Sequence, residues 1–503
     1  MRHQNKRAGL LLAFLALLLV LGGGGGVWAQ SAADDWTVLY RPALLPDFWD
    51  DMAALAEAPR YVLDVTLAVD GTEAIIGGQE TVRYTTRLPG VTLETLVFRL
   101  YPNLESFGGE MTVSRVLVDG KPATPQLDAT QTVLTVPLPA PLRYGESVEA
   151  TLAFQVRVVA GRERFYNQFA YLDGMLAVPN AYPLLSVYQT GAGWWQDVGH
   201  PQGDVVFSET SFYDVHLTAP ANWSIAASGT EVGTQQEHDG TLTHHIVAPL
   251  MREFAWFASS RYDTSQDMLS GTAITCYYDP TSIAQASAAA SVALQRTMDA
   301  VSAYNRAFGR YPFTELDVVQ TPTTAGGIEY PGMFVVSTPI WGPDNEFFSF
   351  VLAHEAAHQW WYSLVGDDPV NNPWMDEALA QFSVALYIRD QEGEAAYRSA
   401  LESFRRQYRE YVHDYPDQVI GLPVRAYPDG AYFFIVYQKG PLFFATLADE
   451  YGWEPLLGAL QDYFAAYRYH IATPEDMLAQ FQRALGYDVG VFFSEWVGVV
   501  PVG

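Results

Sequence analysis

The sequence predicts an α+β protein, with a β-sheet-rich N-terminal domain followed by a mainly helical domain. From residue 61 onward, short runs such as YVLDVTLAV and VEATLAFQVRV alternate apolar and polar residues between turn residues, a pattern typical of strands. From residue 283 to 308 the apolar residues instead recur at helical spacing in an alanine-rich segment. The chain has 503 residues, more than the roughly 250–300 at which single domains stop growing, so we expect more than one domain.

The change of period places the domain boundary near residue 260. We predict a β-rich domain at residues 61–260 and a second domain at residues 261–503, with residues 30–60 as a linker. The pattern of apolar residues and of helix-ending residues predicts five later helices, at residues 347–364, 376–389, 394–411, 431–451 and 474–485.

The first 29 residues have the composition of an export signal. Basic residues precede an apolar run at residues 8–21, and the small residues Val27 and Ala29 suit cleavage after Ala29. If the segment stays uncut, the run through Trp28 is long enough to anchor the chain in a bilayer. We therefore expect an extracytoplasmic protein, secreted or anchored, with the membrane as a partner only through this segment.

Charge and cysteine content exclude several classes of partner and site. Acidic residues outnumber lysine and arginine by 57 to 28, and the formal net charge of −29 repels nucleic acid phosphates. The single cysteine, Cys276, has no partner for an internal disulfide and leaves no cysteine-rich metal site. Any metal must therefore be held by histidines and carboxylates.

The segment VLAHEAAHQWW places two histidines four residues apart. On a helix, His354 and His358 lie on one face within reach of a single ion, with Glu355 beside them. A bare pattern of this kind also fits an ordinary buried helix, because a catalytic zinc needs three protein ligands and an open position. Glu377, nineteen positions beyond His358, is the candidate for the third ligand, since a helix, a loop and a second helix can bring it back to the histidines.

Four ordered motifs resemble the gluzincin metallopeptidases of the membrane-alanyl aminopeptidase family. They are HEAAH followed after eighteen residues by Glu377, the segment GGIEYPG, the segment VYQKG and the segment FGRYPFTELDVV. Fainter similarity extends through the β-rich domain in ETLVFRLYPN and VLVDGKPA. The resemblance implies a thermolysin-like zinc peptidase domain at residues 261–503. It also implies a short form, since the sequence ends at Gly503 without the long C-terminal helical domain of many members.

The resemblance assigns a role to each catalytic residue. His354, His358 and Glu377 are expected to hold one Zn²⁺ per chain, which lowers the pKa of a water at the fourth position. Glu355 is expected to act as general base. Tyr437 is expected to stabilise the oxyanion with its hydroxyl, although its spacing alone favours a core aromatic.

The segment GGIEYPG is expected to bind substrate. The resemblance implies that Glu329 holds the free α-amine of a peptide and that the backbone at Gly326 and Gly327 pairs with the extended substrate. Without the resemblance, Glu329 reads as a glutamate in a surface loop. The family has a second amine anchor in the β-rich domain, for which LAVPNAYPLL and GWWQDVGHPQGD are candidate regions. Asp376 is expected to orient a histidine ligand.

The predicted function is that of a zinc aminopeptidase, which removes N-terminal residues from peptides. Ile328 and Tyr330 stand where the family usually has Met and Asn, which alters the amine pocket. A zinc endopeptidase on the same scaffold is therefore the alternative. A non-catalytic peptide-binding module is a third interpretation, which conflicts with the complete set of competent side chains.

Overall fold

Alternating burial along long strands produces the N-terminal region of the structure. The computed structural model describes residues 35–428 and 430–498, and the described residues from Tyr40 onward belong to one compact unit. The predicted signal at residues 1–29 lies outside the described residues. The strands of the N-terminal region are β1 (Arg60–Val69), β2 (Glu73–Thr85), β3 (Thr92–Arg99), β4 (Glu110–Val118), β5 (Lys121–Pro122), β6 (Gln126–Leu127), β7 (Val133–Arg143), β8 (Ser147–Val159), β9 (Ala170–Leu172), β10 (Met175–Ala177), β11 (Leu184–Leu185), β12 (Tyr188–Gln189), β13 (Gly193–Trp194), β14 (Ser211–Pro220), β15 (Ser224–Ala227), β16 (Thr230–Gln236), β17 (Thr241–Met251) and β18 (Trp256–Ser259).

An eight-stranded sheet dominates this region, in the order β16-β17-β14-β1-β2-β8-β4-β5. Its strands are antiparallel to their neighbours except at its centre, where β1 runs parallel to β14. Every second residue of β1 is buried from Tyr61 to Leu67, because one face of the sheet packs on the core. Two four-stranded sheets, β15-β18-β10-β9 and β11-β3-β7-β6, and the hairpin β12-β13 complete the region.

A separate sheet of five strands lies in the part of the chain that was predicted to be mainly helical. Its strands are β19 (Asp263–Leu269), β20 (Thr272–Tyr278), β21 (Glu315–Thr321), β22 (Gly327–Tyr330) and β23 (Met333–Ser337), in the order β19-β20-β21-β23-β22. The strand β22 is antiparallel to β23 and forms one edge of the sheet. Strand β18, which ends at Ser259, belongs to a four-stranded sheet, and β19, which begins at Asp263, belongs to the five-stranded sheet. The domain boundary near residue 260 stays a prediction.

Helices make up most of the chain after the five-stranded sheet. The expected helix at residues 347–364 ends at Ala357, because the chain turns at His358 and Tyr362 has a positive φ of 111°. Two helices after residue 452 were missed, as was a π-helix at Phe433–Lys439. The α-helices are α1 (Trp49–Ala54), α2 (Ala286–Ala307), α3 (Glu346–Ala357), α4 (Trp374–Glu392), α5 (Glu394–Asp414), α6 (Gly440–Tyr451), α7 (Trp453–Tyr467), α8 (Pro474–Leu485) and α9 (Gly490–Trp496).

One apolar cluster joins the two regions beside β22. Phe257 of the four-stranded sheet packs against Tyr330 of the five-stranded sheet, with their ring centroids 5.5 Å apart, and both belong to a cluster of buried side chains from the two sheets. The buried Arg252 donates hydrogen bonds to the carbonyl groups of Tyr362, at 2.7 Å, and of Leu364, at 3.3 Å. These contacts fix the N-terminal region against the segment that follows α3.

None of the described helices has both the length and the hydropathy needed to cross a membrane.

Candidate active site

Helix α3 carries the two predicted histidine ligands and the predicted base. Asn345 begins the helix, because its side-chain oxygen accepts hydrogen bonds from the backbone N–H groups of Phe347 and Phe348. The helix is apolar and buried along most of its length, which holds His354 and Glu355 rigidly inside the protein.

Helix α4 brings the third predicted ligand to the histidines. Glu377 lies in its first turn, shortly after Pro373. Its Oε2 atom is 3.1 Å from Nε2 of His354 and 3.3 Å from Nε2 of His358, and the two Nε2 atoms are 3.2 Å apart. The structure therefore brings all three predicted ligands together with their donor atoms at the corners of a nearly equilateral triangle.

The size of this triangle fits a zinc ion. Donor atoms about 2.0–2.1 Å from a tetrahedral zinc lie about 3.3 Å from one another. Two imidazoles and one carboxylate, all buried, are also a donor set that zinc prefers, and they leave one position open. The residues present thus fit the expected ion.

A hydrogen bond orients His358 for this role. Its Nδ1 atom is 3.0 Å from the carbonyl oxygen of Trp361, so Nδ1 donates to this oxygen and Nε2 faces the centre of the triangle, where its lone pair is available once a metal ion replaces the proton. The expectation that Asp376 orients a histidine is wrong for His358. Asp376 instead accepts a hydrogen bond from the backbone N–H of Glu377, at 2.7 Å, because both residues lie in the first turn of α4.

The electrostatics of the triangle favour a bound cation. Burial tends to raise the pKa of Glu377, but hydrogen bonds from His354 and His358 outweigh it and hold this pKa well below its usual range. Burial tends to lower the pKa of His358, yet Glu377 and Glu355 raise it to about 10. A metal ion takes the place of the proton that the triangle would otherwise hold.

A cavity of about 330 Å³ opens beside the triangle. No lysine or arginine is found among the described residues that line it, so carboxylates dominate its charge. It is lined by Tyr166, Gln168, Gln202, Gly203, Asp204, Thr324, Ala325, Gly326, Gly327, Ile328, Glu329, Phe347, Phe350, Val351, His354, Glu355, Glu377, Gln381, Tyr432, Phe433 and Tyr437.

Glu329 and Glu355 face the same end of the cavity. One carboxylate oxygen of each lies within 4.8 Å of the other and of a ring nitrogen of His358. Burial raises the pKa of Glu355 to about 8, and neighbouring carboxylates add to the shift. Burial, together with Asp204 and Glu377, raises the pKa of Glu329 well above its ordinary value. Glu329 is only 7% exposed, so it is not a surface glutamate.

The two predicted substrate-binding glycines line the cavity beside the edge strand β22. A Cβ atom added to Gly327 would lie 2.5 Å from both Cγ and Cδ of Glu355, an approach that only glycine permits. At Gly326 the nearest side-chain atom to such a Cβ is Cγ2 of Val351, at 3.3 Å. Edge strands offer unpaired backbone groups to an extended peptide.

Tyr437 reaches the metal-ligand triangle from the π-helix Phe433–Lys439. Its hydroxyl donates a hydrogen bond to Oε1 of Glu377, and its ring lies 5.9 Å from that of His354. Single π-helical turns often occur at functional sites. Tyr437 therefore lines the cavity, and its hydroxyl bonds a predicted metal ligand. An aromatic residue that only fills the core would not make this contact.

Asp204 and Gln168 line the cavity from the N-terminal region, and neither was predicted by number. Burial and the charge of Glu377 raise the pKa of Asp204 to about 7. Asp204 is the last residue of GWWQDVGHPQGD, so the sequence pointed to its region and not to the residue. Gln168 carries no local sequence signal that would have identified it.

Comparison with protein families gives a match over most of the helical region. Residues 292–496, which include the ligand triangle, Glu329 and Tyr437, match the model of the peptidase family M1 domain. The chain contains a peptidase family M1 domain.

Two curated relatives match about a third of this chain. Leucine aminopeptidase 2 of Yarrowia lipolytica is 26% identical over 172 residues, which are 32% of this chain and 26% of that protein. Aminopeptidase N of Lactococcus lactis is 26% identical over 164 residues, which are 30% of this chain and 18% of that protein. The match thus covers about a quarter or less of the length of these two curated relatives.

The fold is similar to that of an M1 zinc metallopeptidase from Deinococcus radiodurans over almost the whole chain. The TM-score is 0.66 at 18% identity, and the match covers 89% of this chain and 95% of that structure. The predictions of an α+β fold and of an M1 metallopeptidase domain are confirmed. The donor triangle of this chain fits the predicted zinc ion, and the structural neighbours are named zinc metallopeptidases.

Proposed function

We propose that the protein is a zinc-dependent aminopeptidase that removes the N-terminal residue of peptides. The observation that carries the proposal is the arrangement of the cavity. A triangle of zinc donors, the candidate base Glu355 and the candidate amine-binding carboxylate Glu329 all face it, beside an open strand edge. A mutant of the Deinococcus radiodurans enzyme is described as bound to a Tyr-Ser-Ala substrate, which supports a peptide as the ligand of this fold.

The position of Glu329 favours an exopeptidase. A carboxylate oxygen of Glu329 lies within 4.8 Å of one of Glu355 and of a nitrogen of His358. In a peptide, the α-nitrogen is about 2.5 Å from the first carbonyl carbon. An α-ammonium group held by Glu329 therefore brings the first peptide bond, and not a later one, to the base and the metal ligands.

Glu355 moves the proton in the proposed reaction. When bound, zinc polarises the scissile carbonyl group and lowers the pKa of water. The Oε2 atom of Glu355 is buried and has no hydrogen-bond partner among the described residues, so it is free to accept the proton of the attacking water. Glu355 then passes this proton to the leaving amine, as a general base that becomes a general acid.

Tyr437 and β22 position the substrate in the proposed reaction. The hydroxyl of Tyr437, which bonds Glu377 in the structure, donates to the carbonyl oxygen as negative charge develops on it. The backbone of Gly326 and Gly327 pairs with the extended peptide along the edge of the five-stranded sheet. Glu329 neutralises the α-ammonium group.

The decisive experiment uses a matched pair of peptides, one with a free N-terminus and one acetylated. The zinc-loaded protein is compared with its Glu355→Gln variant. Cleavage of the free peptide alone, by the parent alone, is the expected result. Cleavage of both peptides by the parent would instead establish the endopeptidase alternative. If neither is cut although zinc occupancy is complete, a wider set of peptides is tested first, and continued absence of cleavage favours the peptide-binding module.

We also propose that the enzyme acts outside the cytoplasm, either secreted or anchored by residues 1–29. The proposal rests on the basic and apolar composition of this segment. Mass spectrometry of the N-terminus in cell fractions provides the test. A mature chain that starts at Gln30 is expected for a cleaved signal, and an intact N-terminus in the membrane fraction for an anchor. An intact chain in the cytosol would contradict the proposal.

A further inference from the structure

A second group of metal-binding side chains lies on the eight-stranded sheet, apart from the active site. It consists of Asp214 and His216 on β14 and His245 on β17, whose ligand atoms all lie within 4.8 Å of one another. The three side chains are partly exposed, so an ion can reach them from solvent. Neither the M1 domain at residues 292–496 nor the proposed reaction uses them.

The register of the sheet builds this group. His245 pairs with His216 across β17 and β14, and His216 pairs with Asp64 across β14 and β1. Asp214 lies two residues before His216, so its side chain is on the same face. Because the strands are hydrogen-bonded along their length, the backbone holds these positions together before any ion binds.

The distances between these side chains are similar to those in a metal site, but here a proton occupies the place of the metal ion. Nε2 of His245 is 2.7 Å from Oδ1 of Asp214, a pair whose shared proton a metal ion would replace. Nδ1 of His216 is 3.5 Å from Oδ1 of Asp64 without a hydrogen bond between them, and Nε2 is the ring nitrogen that faces away from Asp64. A carboxylate behind a histidine ligand is the common arrangement around protein-bound metals.

The surroundings leave room for the ion and its waters. The residue opposite His245 on the next strand, β16, is Gly233, and nothing lies within 4 Å of the Cβ position there. The rings of His216 and His245 are stacked with their centroids 4.5 Å apart, and one ring nitrogen of each lies within 4.8 Å of the other and of a carboxylate oxygen of Asp214.

We propose that Asp214, His216 and His245 form a second site for a divalent transition metal such as Zn²⁺, with Asp64 as the carboxylate that supports His216. Two imidazoles and a carboxylate select late first-row ions over Mg²⁺ and Ca²⁺. The bound ion links neighbouring strands β14 and β17 and stabilises this part of the sheet.

The test is the number of Zn²⁺ ions bound per chain, measured by equilibrium dialysis and elemental analysis. The parent is compared with the double variant His216→Gln/His245→Gln and with the control His413→Gln, which alters a histidine whose side chain is 85% exposed on α5. The double variant is expected to bind one ion fewer than the parent, and the control the same number. The difference does not depend on the catalytic site, which is intact in all three proteins.

A graded variant and a stability measurement complete the test. Asp64→Asn is expected to weaken the second ion roughly tenfold or more while the ligands remain. Added Zn²⁺ is expected to raise the melting temperature of the parent more than that of the double variant. Equal zinc content in the parent and the double variant, or equal losses in the double variant and His413→Gln, would overturn the proposal.

Discussion

The backbone of Gly327 lies directly against the carboxylate of Glu355, so that a Cβ atom there would sit 2.5 Å from Cγ and Cδ of the glutamate. The edge strand and the metal-binding helix are thus packed together through a residue without a side chain. The position of the candidate base depends on this glycine as much as on its own helix.

Gly327→Ala is therefore expected to lower kcat about a hundredfold or more, because the new methyl group pushes the carboxylate of Glu355 out of place. The comparison is Gly326→Ala, which keeps the backbone groups and whose Cβ would meet Val351 at 3.3 Å and not Glu355, so a smaller loss of kcat is expected. Steady-state kinetics together with zinc content provide the measurement. Full activity of Gly327→Ala would show that the position of the Glu355 carboxylate beside Gly327 is not required for catalysis.

Tyr437→Phe is expected to lower kcat about a hundred- to a thousandfold, since it removes a donor to the developing oxyanion while the ring and the zinc remain. Tyr432 lines the same cavity, and Tyr432→Phe serves as the control. The comparison requires kcat, KM and zinc content for both variants. A Tyr437→Phe enzyme with unchanged kcat would leave Tyr437 as a packing residue.

Glu377→Gln is expected to weaken zinc binding by at least about tenfold, because the amide removes the charge at one corner of the donor triangle. Dialysis against a zinc buffer gives the affinity directly. Asp376→Asn is a suitable comparison, because Asp376 contacts the backbone of Glu377 and not the triangle. If Glu377→Gln retained zinc at the parent affinity, Glu377 would not be a ligand.

Glu80 is expected to destabilise the fold at neutral pH. It is completely buried in β2, neither of its oxygens has a hydrogen-bond partner among the described residues, and burial raises its pKa well above the usual value. The unfolded chain loses this proton above a pH of about 4.3, whereas the folded chain keeps it. The resulting loss of stability is absent below that pH and grows by about 1.4 kcal/mol per pH unit up to the folded-state pKa.

Glu80→Leu should accordingly raise the free energy of unfolding by up to about 4 kcal/mol at pH 7, and by about 1 kcal/mol at pH 5. Denaturant titrations of parent and variant at both pH values measure the difference. Glu94→Gln, at an exposed position of β3, is the control. A gain of stability that did not change with pH would assign the effect to packing alone.

The site residues that lie close to one another in the sequence could be predicted. His354, Glu355 and His358 share one helical turn, and Glu377 begins the next helix, so spacing and the family resemblance were enough to group them. Asp204 and Gln168 reach the same cavity through the packing of distant segments, which no local pattern records. Asp376 was adjacent in sequence, yet the backbone turn of α4 directs it to Glu377.

The fold was predictable where one face of each element meets water. Strands β1 and β8 of the eight-stranded sheet alternate in burial along most of their length and were predicted as strands, whereas β23 is buried at all five positions and has no such alternation. Helix α7 starts two residues after α6 ends, so the sequence pattern indicated one helix that ends at residue 451, and α7 was taken for a loop. The buried side chains of Trp360 and Trp361 extended the helical pattern beyond Ala357, where the chain already turns.

The parallel pairing of β1 with β14 also determines the order in which the protein can fold. The strands β2, β8, β4 and β5 can assemble on one side of β1 once residue 159 has been synthesised, but its other side stays open until Ser211–Pro220 emerge. Contacts between such distant segments close slowly, because a long loop must first be ordered. The nascent chain therefore carries an exposed strand edge through about fifty residues of synthesis, and we expect a chaperone that covers such edges to increase the yield of folded enzyme.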